Sequence, residues 1–348
     1  MSKRVWVLTG WVLGLIAAGA SAASVTDTDA ELAETLQRLK LEAAGNALAA
    51  SGAPRQLFAA WLLAPITHAY QQGISVHAPQ VDDWLTRAQQ GDPKEPLIAT
   101  AVIERCIGTG NCDIDAARAT LESDDADELG SQLLLVRLAE HQRDAAAVAR
   151  AWQRAVQARH YRDPLAARVG LLMQATATVA WPTVDASAQD REQNRIGTVL
   201  NVAGIPFPAE ARQISAQCRV PALADEMRRQ CVQVMTLFAG STSELMVRVG
   251  TAAMAELDTD EAARAQWSAR YRALEWTRSV ASQLLGQDAA AVAGKLSVAQ
   301  FAGWIAEQGE LPAMQRLLSL CGESLQPPAD WRIPAPGEPS SYRTRGCR

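Results

Sequence analysis

Six cysteines are the residues of this chain whose chemistry is most legible: Cys106, Cys112, Cys218, Cys231, Cys321 and Cys347. Thiols can close disulfides, bind zinc or exchange electrons. Zinc sites draw their ligands in close pairs, and dithiol redox centres carry C-x-x-C. Neither spacing occurs, and the four histidines (His68, His77, His141, His160) lie far apart. Structural disulfides remain. Six cysteines allow about fifteen pairings, from which proximity selects Cys106 with Cys112, Cys218 with Cys231, and Cys321 with Cys347. The first clamps a glycine-containing corner between two helices. The second joins a short helix to the next across Pro221. The third straps a Pro-rich tail onto the last helix. Each contributes about 2–4 kcal/mol, mainly by restricting the unfolded chain.

Other candidate chemistry dissolves on inspection. G-x-S-x-G, H-E-x-x-H and the P-loop are absent. Gly108-Thr109-Gly110 follows no strand and so is no dinucleotide loop. Asp27/Asp29, Asp124/Asp125/Asp127 and Asp258/Asp260 could bind calcium. They lack the glycine and distal glutamate of an EF-hand, and each precedes a helix, where a carboxylate caps N–H groups. Arg159-His160-Tyr161-Arg162-Asp163 could form an anion or proton-transfer site, but it reads better as the basic C-terminus of a helix. Arg270, Arg272 and Arg278 with Trp276 could stack a ligand, but they read better as a solvated helix face with one partly exposed tryptophan. No catalytic, cofactor-binding or metal-ligating residue is expected, and no cofactor.

Gly170-Leu171-Leu172-Met173-Gln174 resembles, loosely, the Gly-Leu-Met-Gln stretch of lytic transglycosylases, exported helical enzymes that cleave cell-wall glycan. That resemblance implies a Glu-Ser pair shortly upstream, with the Glu as general acid. None stands there, and an extra leucine interrupts the motif. An apolar helix face is the expected role.

The N-terminus sets the compartment. Lys3 and Arg4, the apolar run Val5 to Ala18, and Ala20-Ser21-Ala22 read as a signal peptide over residues 1–22, with the mature chain starting at Ala23. The destination is then the periplasm or the outside, where paired cysteines oxidise; a retained leader would be a membrane anchor. Beyond it no run is apolar and long enough to span a bilayer. The formal charge is −5 over all 348 residues, and no long basic run exists, which excludes a nucleic-acid surface. Hydrophobic residues at 48% and charged residues at 20% exclude disorder for most of the chain.

The elements that must hold these residues are helical almost throughout. Leu32, Leu36, Leu39 and Ala43 make one face of a first helix, with Thr28 and Glu31 as its capping box. Gln56 to Tyr70 is a buried helix that Pro65 should kink. Helices follow at 82–90 and 95–106. Residues 127–160 form a helix pair, turning at Gln142-Arg143-Asp144. Asp163-Pro164 opens another helix, and 191–202 is helical. Ile205-Pro206-Phe207-Pro208 is the best boundary, giving regions 23–204 and 205–320. Beyond it lie helices near 210–218, 222–239, 244–256 and 260–285. The last has Trp267, Tyr271, Leu274, Ala281 and Leu285 inward. Ser241 with Glu244, Asp258 with Glu261, and Ser297 with Gln300 are start signals. Leu311 to Leu320 is the last helix. Residues 321–348 form an extended tail, where Trp331 docks on the helical body.

Residues 127–160 resemble a tetratricopeptide repeat: Leu135, Trp152 and Ala155 stand where that motif wants a leucine, an aromatic and an alanine. Val148, Val136 and Ala139 depart from it. The whole chain is similar to Ala/Leu-rich, disulfide-bearing exported helical proteins of proteobacteria. These resemblances imply a helical-repeat fold and transfer no functional residue. The expected architecture is all-α: an antiparallel helix-pair array (a TPR-like α-solenoid) with a disulfide-strapped Pro-rich C-terminal tail. Such arrays commonly hold a protein or peptide, so a binding scaffold of unknown partner and oligomeric state is expected. The alternative is a periplasmic cell-wall-acting hydrolase with carboxylate chemistry.

Overall fold

A computed structural model describes residues 27–64, 79–109, 113–182, 187–204, 223–286 and 294–347 (less 336, 337 and 339), together with 214, 217, 218 and 292; side chains are described from residue 35 onward, except those of 108 and 109. The leader, the 65–70 segment with Pro65, the 205–208 boundary, Cys112 and most of the 210–218 helix lie outside the described residues, as do the Thr28 and Glu31 side chains. The Cys106–Cys112 pairing therefore lies outside them too.

The fold is all-α, built from packed helix pairs. The described residues form fourteen helices: α1 (Asp27–Ala49), α2 (Pro54–Leu63), α3 (Pro79–Gly91), α4 (Pro96–Thr109), α5 (Asp115–Ser123), α6 (Leu129–His141), α7 (Ala145–Gln157), α8 (Pro164–Thr176), α9 (Ala188–Gly204), α10 (Asp225–Ala239), α11 (Glu244–Leu257), α12 (Glu261–Gly286), α13 (Val298–Gln308) and α14 (Glu310–Leu320). No described helix is long and apolar enough to cross a membrane.

Chain neighbours pack as pairs, α6 on α7 and α10 on α11 most extensively. The α6–α7 turn sits where expected, with Arg143 in the left-handed region at φ 57°. Leu135, Trp152 and Ala155 are all buried in it. Sequence-distant helices pack as well: α13 lies on α8 and α9, α2 on α8, and α7 on α10. Two apolar clusters result, and each draws on helices from both sides of residue 205. Helix α2 is buried on two sides because it serves both clusters, Leu57 and Phe58 in one, Ala60 and Leu63 in the other.

The first helix corrects the expected pattern. Leu36 and Leu39 are 48% and 50% exposed, and Ala44 and Leu48 make the buried contact instead. The reason is length. Helix α1 has 23 residues, and its main chain-neighbour partner α2 has 10. At about 1.5 Å per residue, α2 covers only the C-terminal part of α1.

The tail docks as expected. Cys321 and Cys347 are bonded, with Cα atoms 4.2 Å apart, and Cys218 is bonded to Cys231 with Cα atoms 5.6 Å apart. Trp276 lies between Trp331 and Tyr342, ring centroids 5.4 and 4.4 Å away, and its Nε1 donates to the Ser324 carbonyl at 2.7 Å. The Arg272 guanidinium donates to the carbonyls of Pro328 at 2.6 Å and Trp331 at 3.1 Å. The part of that face around Arg272 and Trp276 is thus covered, Trp276 being 1% exposed, while Arg270 stays exposed as expected. Arg270 caps the end of α10 instead, donating to the Ala239 carbonyl at 2.7 Å. Cover arrives from residues some fifty positions downstream, which periodicity within one helix cannot register.

Candidate functional site

An open cleft with an interior of about 90 Å³ lies where α2, α4, α6 and α8 meet. The chain reaches it by a local detour. Helix α7 ends at Gln157, and residues 158–163 run extended beside the start of α6. Leu129 N–H donates to the His160 carbonyl at 2.9 Å, and Arg159 N–H to the Asp127 carbonyl at 2.9 Å. The Arg159–Asp163 string is therefore not a helix end, as the sequence suggested. It is a strap that places Tyr161 and Arg162 in the cleft wall.

Glu128 fixes the strap. Its Oε2 accepts the Ser131 N–H at 2.6 Å and caps α6. Its Oε1 accepts the Arg162 N–H at 2.9 Å. Asp125, 3% exposed, accepts from Ser131 Oγ at 2.5 Å and from the Arg162 guanidinium at 2.8 Å. Of the aspartate group 124, 125 and 127, then, Asp125 is a buried network member, and Glu128 performs the capping expected of the aspartates. The Tyr161 ring meets Phe238 edge-on at 5.2 Å. His160 is solvent-facing, its Nδ1 4.0 Å from Asp127 Oδ2.

Arg168 sits just over one turn into α8 and lines the cleft at 8% exposure. Its ion pair with Glu104 is loose, 3.9 Å, and among the described residues its side chain makes no hydrogen bond. Much of the lining is apolar: Phe58, Trp61, Leu62, Leu97 and Met246. Helix α8 carries the Gly170–Gln174 stretch away from the cleft, and a Cβ at Gly170 would stand 3.6 Å from Ala306 on α13. Apart from the exposed Gln174, that stretch is packing surface.

Behind α8 lies a second polar assembly, a junction of three helix starts. Asp163 Oδ1 accepts the Leu165 N–H at 3.0 Å and caps α8, with Pro164 as the first helical residue. Its Oδ2 accepts the Glu310 N–H at 3.4 Å. The Glu310 carboxyl in turn accepts the backbone N–H of Glu244. Burial, then the charges of Glu244 and Asp163, push the Glu310 carboxyl up to about 8. Burial also raises Asp163 and Glu244. Arg278 pairs with Glu275 at 2.7 Å and faces Glu244 at 3.8 Å; Arg248 is 3.9 Å from Glu244 and 4.0 Å from Glu275. Burial and the neighbouring Glu275 push the Tyr271 hydroxyl up to about 12.

The junction corrects two start signals. Ser243, not Ser241, precedes α11, because the Glu244 carboxylate turns inward to the arginines instead of back to a capping serine. Asp260 caps α12, accepting from Ala262 N–H at 2.7 Å, while Asp258 accepts from Trp267 Nε1 at 3.3 Å. The Ser297–Gln300 capping box forms as expected. Among the described residues no cluster of His, Cys, Asp or Glu is arranged to hold a metal ion. Neither the cleft nor the junction was read from sequence. Arg162 and Asp163 were flagged, and Glu244 was read as a start signal, but Arg168, Glu104 and Glu310 carry no local signal beyond being charged residues in apolar helices.

Comparison with protein-family models, curated proteins and solved structures finds no match for this chain.

Proposed function

We propose that the protein is a non-catalytic binding scaffold of the periplasm or cell exterior, and that the α2–α4–α6–α8 cleft holds an apolar side chain of a protein or peptide partner. The observation that carries this is the cleft wall itself. Aromatic and aliphatic side chains face open space there, and such concave apolar sites with few polar groups are where ligands bind. Most charged groups at the rim are committed to structure: Glu128 to two backbone amides, Arg162 to Asp125. The two described disulfides and the leader-like N-terminus support an oxidising compartment.

The test is to pan a random peptide library against the folded, oxidised protein, in parallel with Thr100→Trp, which fills the cleft from α4. Peptides that enrich on the wild type and lose binding to the filled variant support the reading. No enrichment, or enrichment indifferent to the filling, overturns it.

One observation favours a hydrolytic reading: two carboxylates, Glu104 and Glu128, line the cleft. Glu128 is held as a capping acceptor, so Glu104 is its only candidate acid. Cell-wall glycan turnover that Glu104→Gln abolishes is the result this reading requires.

A further inference from the structure

We infer that the cleft recognises a free carboxylate set beside an apolar group, with the Arg168 guanidinium as the receptor and the α2–α4 wall as the apolar seat. This rests on the binding reading above and names the ligand chemistry.

A guanidinium has five N–H donors in a fixed fork and no acceptor. Held 8% exposed beside an apolar wall, Arg168 has given up most of its hydration. Burying a charge is costly unless hydrogen bonds replace the lost water. Here the nearest carboxylate, Glu104, stands 3.9 Å off, beyond direct hydrogen-bond reach. The other cation in the described cleft lining differs in this respect, Arg162 being bonded to Asp125 at 2.8 Å. Guanidinium donors in the cleft lining with no acceptor at hydrogen-bond distance define what is missing: a planar acceptor pair. Carboxylate–guanidinium contacts reach about 2.7–2.9 Å and are often bidentate, so a ligand carboxylate outcompetes the distant Glu104.

The anionic neighbours do not close the site to a second anion. Glu104 is the carboxylate within ion-pair distance of Arg168, and Asp163 feels the same guanidinium from farther off. Glu128 spends both oxygens on the Ser131 and Arg162 amides, and Asp125 is paired with Arg162. Asp163 faces α8 and α14 backbone amides. The interior, about 90 Å³, is smaller than the roughly 150 Å³ of an apolar cavity known to accept benzene. The buried part of the guest is thus a single aliphatic group. Both a chain end with a terminal aliphatic residue and a small branched organic acid carry this chemistry.

The experiment is titration of the oxidised protein, followed by calorimetry and amide chemical shifts, with three probes: N-acetyl-Ala-Ala-Leu as the free acid, the same peptide as its C-terminal amide, and 4-methylpentanoate. The expected result is that the acid binds at least about tenfold tighter than the amide. Arg168→Gln should erase that difference by weakening acid binding far more than amide binding. Glu104→Gln, which removes the competing carboxylate, should tighten acid binding about threefold or more, and it keeps the test decisive if Arg168→Gln does not fold. Binding of 4-methylpentanoate as tightly as the peptide acid assigns the small organic acid; preference for the peptide assigns the chain end. Equal binding of acid and amide overturns the carboxylate inference and leaves the scaffold reading standing. Failure of all three probes also overturns it, and library panning then decides separately whether the cleft binds peptides at all.

Discussion

The Asp163 carboxylate caps two helices that lie far apart in the chain: Oδ1 takes the Leu165 N–H of α8, and Oδ2 takes the Glu310 N–H of α14. Helix starts leave unpaired amides and a positive dipole end, so one side chain serves two such ends while buried between them. Asp163→Ala should therefore cost more than an ordinary cap, about 2–3 kcal/mol against the usual ~1. Equilibrium denaturation checks this. A loss no larger than that of Asp144→Ala, which removes the single cap of α7, would mean that the second bond contributes nothing.

The junction also makes stability depend on pH. Glu310 holds its proton to about pH 8 in the folded state, against 4.5 unfolded. Between these values the folded protein binds the proton that the unfolded chain has released, so stability falls as pH rises through the window. It is fully present below about 4.5 and gone above about 8. Asp163 and Glu244, also raised, push in the same direction. Denaturation midpoints measured from about pH 5 to about pH 9 should decline, and Glu310→Gln should flatten most of that slope.

Cleaving the strap should release the tail. Cys347→Ser is expected to lower stability by about 2–4 kcal/mol and to unpack Trp331 and Tyr342 from Trp276. The readout is tryptophan emission, which should shift to the red. Arg272→Ala in the oxidised protein should shift it less, because the disulfide still anchors the chain end.

Helices α10 and α11 meet backbone to backbone at Gly250. A Cβ there would stand 2.6 Å from the Met235 carbonyl oxygen and closer still to the Ala239 nitrogen. Gly250→Ala gains helix propensity by about 1 kcal/mol but must push the two helices apart. We expect a net loss of about 1–3 kcal/mol, seen as a lower Tm. An unchanged or raised Tm would show that the pair can slide without cost.

Local signals were legible and distant ones were not. Asp163-Pro164, Ser297 with Gln300, the turn at Arg143 and the span of α12 each follow from residues within a few positions of one another, and each forms. Leu36 and Leu39 carry a sound amphipathic pattern, yet face solvent because α2 is too short to cover them. Glu244 has the spacing of a capping-box glutamate with Ser241, yet turns inward because Arg278, on another helix, attracts it. Trp276 sits among arginines and looked half-exposed; the tail closes over it. Arg168 reads as one more arginine in an Ala/Leu-rich helix. Its isolation in the cleft comes from α4 and α2, which no spacing within α8 encodes.

The packing of α13 onto α8 and α9 sets an order of assembly. Helices α8 and α9 present an apolar face whose partner is α13, so nothing made earlier in the chain completes it. Such long-range closure slows folding and leaves apolar surface open to aggregation meanwhile. The α6–α7 hairpin can form as soon as its own residues are available, whereas the cluster around α8 must await nearly the whole polypeptide. A chain that loses its last two helices should consequently lose half its interior rather than its tip, and a protein of this design gains from being kept unfolded until synthesis is complete.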